Sequence, residues 1–148
     1  MPTVILDHPP EFVVRTLLID LGMATEPADD DDWPVFVSNE PDQPDSCIIV
    51  VENGSVLRGR HHFDGEVQEG YGVQIKVRSI DYSARQTIGA IVEALDQQVR
   101  NTLVEVSSAD YRVYSMHRTG SVLHPGKGPG NSNRDLFTVN YVATIDQL

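Results

Sequence analysis

The chain has 148 residues, of which 40% are hydrophobic and 22% are charged, and its formal net charge is −11. This composition is typical of a soluble globular protein and disfavours intrinsic disorder, a membrane span of about 20 apolar residues and tight wrapping of nucleic acid, which depends on neutralising phosphates. The length predicts one domain, residues 1–148.

The first predicted element is a helix from about Pro9 to Met23. Its apolar stripe is formed by Val14, Leu17, Leu18 and Leu21, which follow the i, i+3, i+4, i+7 spacing of one helix face. Two prolines fit only in the first turn of such a helix. The residues before it include no basic stretch, so no secretory signal is expected there and the predicted compartment of assembly is the cytoplasm.

An acidic connection follows the helix. Residues 26–45 contain no lysine or arginine and hold eight acids: Glu26, Asp29, Asp30, Asp31, Asp32, Glu40, Asp42 and Asp45. Two interpretations stay open, a solvated outer loop and an acidic wall past which nucleic acid slides without binding. Within the connection, Pro34 restricts the apolar run 33–37 to an edge strand or to the start of a strand.

The middle of the chain predicts two strands and a helix. The apolar run Cys47–Glu52 indicates a central strand ended by a turn at Asn53-Gly54, and residues 54–70 are expected to form a long loop or a hairpin arm. Alternation over 71–80 predicts a half-buried strand with Arg78 on its polar face and paired to an acid such as Asp81. The second helix is expected to open with a capping box at 83–86 and to run to about Arg100.

The remainder of the chain predicts two further strands, at 111–118 and 136–145, separated by a mobile glycine-rich loop over 120–133. The order of helix, strands, helix and strands predicts an α+β fold with two main helices around a single mixed, mostly antiparallel sheet.

Few motifs point to catalysis. Cys47 is the one cysteine, so an internal disulfide and a cysteine-based zinc site are excluded, and a buried structural role is expected. One constellation favours an alternative function, a magnesium-dependent nuclease of restriction-enzyme type. There Pro44-Asp45 would supply a metal ligand, and Lys76, in Gln74-Ile75-Lys76, would polarise the attacking water. The opposing interpretation is that Gln74 and Lys76 are the solvent face of a strand.

Several segments, taken in order, resemble the tail terminator proteins of long-tailed bacteriophages (siphophages), also called minor capsid or tail completion proteins. The resemblance covers about residues 8–145. It rests on these segments: the helix ending at Leu21-Gly22, the run 33–38, the link 41–45 into 48–51, the stretch 69–79 before a helix, the strand 111–118, the glycine-rich loop, and Arg134 leading into 137–141.

The resemblance implies a fold similar to tail tube and terminator proteins and a structural role in the virion, without catalysis, cofactor, metal or membrane. Family members form a ring of six at the head-proximal end of the tail tube, stop its polymerisation and carry the docking surface for head–tail joining. The implied partners are further copies of the chain, the tail tube protein and a head completion or connector protein, while genome DNA passes through the ring.

Candidate interface residues follow from the charge of the chain, because an acidic neighbour offers partners for basic groups. They are Arg58, Arg60, His61, His62, His124, Lys127 and Arg134. The alternative for the first four is that they are merely solvated. Asp29, Asp30, Asp31 and Asp32 are expected on the lumen or on the outer surface. A third possibility is an adaptor domain that stays monomeric beside its tube partner.

Overall fold

The computed structural model describes residues 6–27, 33–60, 67–127 and 134–148. Helix α1 spans Pro10–Asp20 with proline in its first turn, as the sequence predicts. The amide of Phe12 donates to the carbonyl of Pro9 at 3.0 Å. Val14, Leu17 and Leu18 are fully buried, and Gly22 takes the left-handed conformation (φ 78°) that ends the helix.

Seven strands of the described chain form one sheet. The strands are β1 Val35–Val37, β2 Cys47–Arg60, β3 Val67–Ser79, β4 Thr102–Val106, β5 Ala109–Arg118, β6 Leu123–Lys127 and β7 Asp135–Gln147. Their order is β1-β2-β3-β7-β5-β4, with β6 also paired to β7. Only β1 and β2 run parallel among these pairs, so the predicted α+β fold with a mixed, mostly antiparallel sheet is confirmed.

Both helices contribute to one hydrophobic core on the sheet. Helix α2 spans Ser83–Gln98, close to the predicted bounds, and buries Ile88, Ile91 and Leu95 on one face. On β3, Tyr71, Val73, Ile75 and Val77 are buried, while Gln74 and Lys76 between them are half-buried, which confirms the predicted alternation.

Three local predictions are wrong. Asn53-Gly54 does not end β2; it forms a β-bulge opposite β3, and the strand continues to Arg60. The capping box does not form, because Ser83 is the first helical residue and its amide donates to the Asp81 carboxylate. The Ser83 hydroxyl, and after it that amide, lowers the pKa of Asp81.

The third wrong prediction concerns the glycine-rich loop over 120–133. Residues 123–127 instead form β6, which pairs with the first half of β7. Residues 128–133 lie outside the described part. Strand β4 was not predicted, and it joins β5 through Ser107 and Ser108, both with positive φ (48° and 71°).

A buried tyrosine on β7 gives the first testable prediction. The hydroxyl of Tyr141 donates to Asp96 Oδ1 at 3.2 Å, and Arg118 lies 3.7 Å from the other oxygen of Asp96. Burial, together with the Asp96 charge, raises the pKa of Tyr141 far above its ordinary value. Tyr141→Phe is expected to lower the free energy of unfolding by about 1 kcal/mol at neutral pH, because one buried hydrogen bond is lost.

The same substitution has a pH signature. The unfolded chain ionises Tyr141 near pH ~10 whereas the folded chain does not, so this contribution to stability is complete below that pH and is lost as the pH rises towards the folded pKa. The free energy of unfolding, measured in urea at a series of alkaline pH values, should fall less steeply with pH for Tyr141→Phe than for the wild type. An unchanged decline would contradict the assignment.

Candidate assembly surfaces

A nearly buried arginine holds the connection between β1 and β2, residues 38–46, against the sheet. Arg78 on β3 is 4% exposed. Its Nη1 lies 3.3 Å from Glu40 Oε1, its Nη2 donates to the carbonyl of Pro44 at 2.7 Å, and its Nε donates to that of Asp45 at 3.4 Å. Arg78 therefore has the expected structural role. The prediction that it pairs with Asp81 is wrong: its acidic partner is Glu40, and the Asp81 carboxylate instead accepts a hydrogen bond from the amide of Ser83.

A second arginine holds the same connection. Arg134 Nε donates to Asp45 Oδ1 at 2.9 Å, and its Nη2 lies 2.7 Å from that oxygen and 2.5 Å from the carbonyl oxygen of Asp42. The planar guanidinium suits such forked contacts. Arg134, predicted as an interface residue, is thus engaged within its own chain, and the two arginines fix the shape of an acidic loop.

The residues of the nuclease alternative are engaged in the fold. The Asp45 carboxylate is paired with Arg134, and Lys76 stands in the middle of the sheet between Ile49 and Thr138. Within the described residues, no three histidine, cysteine or acidic side chains form a group that could hold a metal ion. Cys47 is fully buried as predicted, and burial raises the pKa of its thiol.

The predicted hairpin arm is present, built from the outer ends of β2 and β3. Strand β3 pairs with β7 only as far as Gly70, whereas its ladder with β2 continues to the pair of Arg60 and Val67. Residues 57–60 and 67–69 therefore form a two-stranded ribbon that pairs with no third strand of the described chain, here called the arm. Arg58 and Arg60 lie on the arm; His61 and His62 lie outside the described residues.

Among the described residues, each end of the sheet order is an edge strand that pairs with one neighbouring strand only. One is β1, the predicted edge strand, whose Val35 amide donates on its outer side to the carbonyl of Thr25 at 3.0 Å, and the other is β4, on which Leu103 is 61% exposed. Beside β1, a groove of about 440 Å³ runs along α1 and is lined by Phe12, Phe36 and Pro41, among others. Edge strands offer unpaired backbone groups to another chain.

A second groove, of about 390 Å³, lies between the start of α2 and β6. It is called the α2–β6 groove and is lined by Arg85, Ile88, Gly89, Val122, His124 and Phe137. His124 stacks on Phe137 with ring centroids 4.2 Å apart, and its Nε2 lies 3.5 Å from Asp135 Oδ1. Of the other predicted contact residues, Lys127 lies on β6, and Asp29, Asp30, Asp31 and Asp32 lie outside the described residues.

Comparison with known proteins decides the family. The model of the bacteriophage tail terminator protein family matches residues 17–147. The chain belongs to that family. Membership confirms the resemblance found in the sequence and makes the chain a structural component of the phage tail, hence of the virion.

Other comparisons are distant. A search of curated proteins gave no match. One solved structure is 13% identical over 78% of this chain and 79% of its own, with a TM-score of 0.39, which is too low to support an argument about function. No helix in the described residues of this tail terminator is long and apolar enough to cross a membrane.

Proposed function

We propose that this tail terminator acts as a single domain that forms a ring of six at the head-proximal end of the tail tube. The ring ends tube polymerisation and presents the docking surface for the head connector. Membership of the terminator family is the observation that carries the proposal. Identical head-to-tail faces propagate an open filament, and a ring that copies only one of those faces ends it.

The shape of the sheet supports side-by-side assembly. A ring is built from heterologous contacts, in which one surface meets a different surface of the next copy. Strands β1 and β4 at opposite ends of the sheet order are two such different surfaces. Pairing across subunits would leave no open sheet edge in the ring, and it would cover the exposed Leu103.

The arm supports the same proposal. A two-stranded ribbon is marginal in water unless it packs against something else. Its residues Arg58 and Arg60 belong to a chain of net charge −11, so neighbouring copies supply acids to meet them.

A net negative charge also lets the genome pass through the ring without binding, since like charges repel.

The decisive experiment is negative-stain microscopy with mass photometry on the purified protein, with and without its tail tube protein. Particles of about 98 kDa, six times the 16.4 kDa chain, or tubes that stop growing when the protein is added are the expected result. A stable monomer that leaves tube growth unchanged would overturn the proposal.

Charge reversal on the arm gives a sharper prediction. Arg58→Glu with Arg60→Glu is expected to weaken ring formation about tenfold or more while the monomer stays folded, because two rim charges would repel an acidic neighbour. Circular dichroism checks the fold and mass photometry checks the rings. Arg100→Glu, an exposed position on the α2–β4 turn, serves as control. Unchanged assembly of the double variant would remove the arm arginines from the interface.

A further inference from the structure

We propose that Asn53 is a site of spontaneous deamidation, in which water converts its side-chain amide to a carboxylate, and that its hydrogen bond to Asn140 slows the reaction. The modification is a property of the single folded chain and does not depend on the proposed ring. Of the six asparagines in the sequence, only Asn53 precedes a glycine. Glycine has no Cβ to shield its main-chain nitrogen, and its backbone adopts conformations closed to other residues.

The reaction begins at the main-chain nitrogen of Gly54. This nitrogen gives its proton to hydroxide and attacks Cγ of Asn53, so an N–Cγ bond forms. The Cγ–Nδ2 bond then breaks, and Nδ2 takes a proton from water and leaves as ammonia. A second water opens the resulting succinimide ring at one of its two carbonyl carbons, and the Gly54 nitrogen regains a proton. Opening at Cγ gives aspartate, whereas opening at the main-chain carbonyl gives isoaspartate.

Asn53 lies at a point of β2 where its main chain has few restraints. It is the extra residue of the bulge and has no partner on β3, because the register passes from Glu52 directly to Gly54. On the other side of β2, β1 pairs only with residues 48–50 in the described chain. Asn53 and Gly54 are both exposed, so water and hydroxide reach the peptide unit that reacts.

One hydrogen bond holds the Asn53 side chain across the sheet. Its Nδ2 donates to Oδ1 of Asn140 on β7 at 2.9 Å, and its Oδ1 lies over Gly72 on the intervening strand β3. Ring closure turns the Cγ–Nδ2 bond and finally removes Nδ2, so this hydrogen bond is lost on the way. Its loss slows the reaction about fivefold, equivalent to about 1 kcal/mol for one net hydrogen bond.

Both products change the bulge. Aspartate replaces the donor Nδ2 with a carboxylate oxygen, which accepts only and therefore faces the acceptor Oδ1 of Asn140. Isoaspartate carries the main chain through its own Cβ and Cγ, which lengthens the backbone between Glu52 and Gly54. Either product adds one negative charge at the point where β2 leads into the arm.

The first test is peptide mapping of the full chain after incubation at mildly alkaline pH. Trypsin releases residues 16–58 as one peptide, so fragment mass spectrometry follows Asn53 and Asn39 in the same molecule. Asn39 is the internal control, because it is also exposed but precedes Glu40. Asn53 should convert about tenfold faster or more, since Glu40 carries the Cβ that Gly54 lacks, and its rate should rise with pH. Equal rates at the two positions would overturn the site.

Substitution of Asn140 tests the restraint. Asn140→Ala removes the acceptor and should speed the conversion of Asn53 about fivefold, whereas Asn140→Asp keeps an acceptor oxygen and should not speed it. Circular dichroism checks that both variants are folded, and wild-type protein in urea gives the rate without any restraint. An unchanged rate in Asn140→Ala would overturn the role of Asn140. Equal rates in folded and denatured wild-type protein would do the same, even where a variant fails to fold.

Discussion

Replacing Arg78 with methionine is expected to lower the free energy of unfolding by about 2–4 kcal/mol. Removing one partner of a buried ion pair is strongly destabilising, and here two backbone carbonyls of the connection lose their donor as well. The Glu40 side chain is 37% exposed, so water recovers part of the loss. Urea unfolding followed by circular dichroism measures the effect.

Two further variants serve as controls for Arg78→Met. Arg100→Met changes an exposed arginine and should stay within about 0.5 kcal/mol of the wild type. Glu40→Gln keeps the size of the side chain and leaves both carbonyl contacts of Arg78, so it should cost less than Arg78→Met. Equal stability of Arg78→Met and the wild type would show that the connection is held by other contacts.

Much of the fold could be predicted from local periodicity in the sequence. The stripe of α1, the buried face of α2 and the alternation on β3 were predictable because an amphipathic element has to turn its apolar side to the core. Strand β4 escaped prediction because its hairpin turn uses Ser107 and Ser108 at positive φ, where asparagine or glycine is the usual signal. Strand β6 was not predicted because its segment His124-Pro125-Gly126-Lys127 contains residues that are typical of turns. Pairing with β7 overrides this local preference.

The candidate surfaces were predictable only in part. Charge pattern pointed to Arg58 and Arg60, and the structure places both on the arm, which pairs with no other strand in the described ranges. Arg134 had the same sequence signal, yet it contacts Asp45, 89 positions away. Pairing at that separation depends on the tertiary fold, which no local pattern encodes. The α2–β6 groove was missed for the same reason, because Arg85, Val122 and Phe137 meet only after the sheet has formed.

The final prediction concerns the glycine opposite the β2 bulge. A Cβ at residue 72 would overlap the side chain of Asn53 and the carbonyl oxygen of Gly54. Asn53 donates to Asn140 Oδ1 at 2.9 Å, so it cannot move away without losing that bond. Gly72→Ala should therefore lower the free energy of unfolding by about 1–3 kcal/mol. A Cβ at Gly89, on the exposed side of α2, would meet nothing within 4 Å. Gly89→Ala should therefore raise the free energy of unfolding by up to about 1 kcal/mol.

Gly72→Ala also tests whether the bulge sets the direction of the arm. A bulge bends its strand, and residues 57–60 of the arm follow the one at Glu52–Gly54 on β2. Leu17→Ala, which removes core packing on α1, serves as the comparison variant. It should lower the free energy of unfolding by at least as much, about 2–5 kcal/mol, and it leaves the bulge intact. Under conditions in which both variants are folded, Gly72→Ala should lose rings in mass photometry and Leu17→Ala should keep them. Equal assembly of the two would mean that the arm's direction does not matter for the ring.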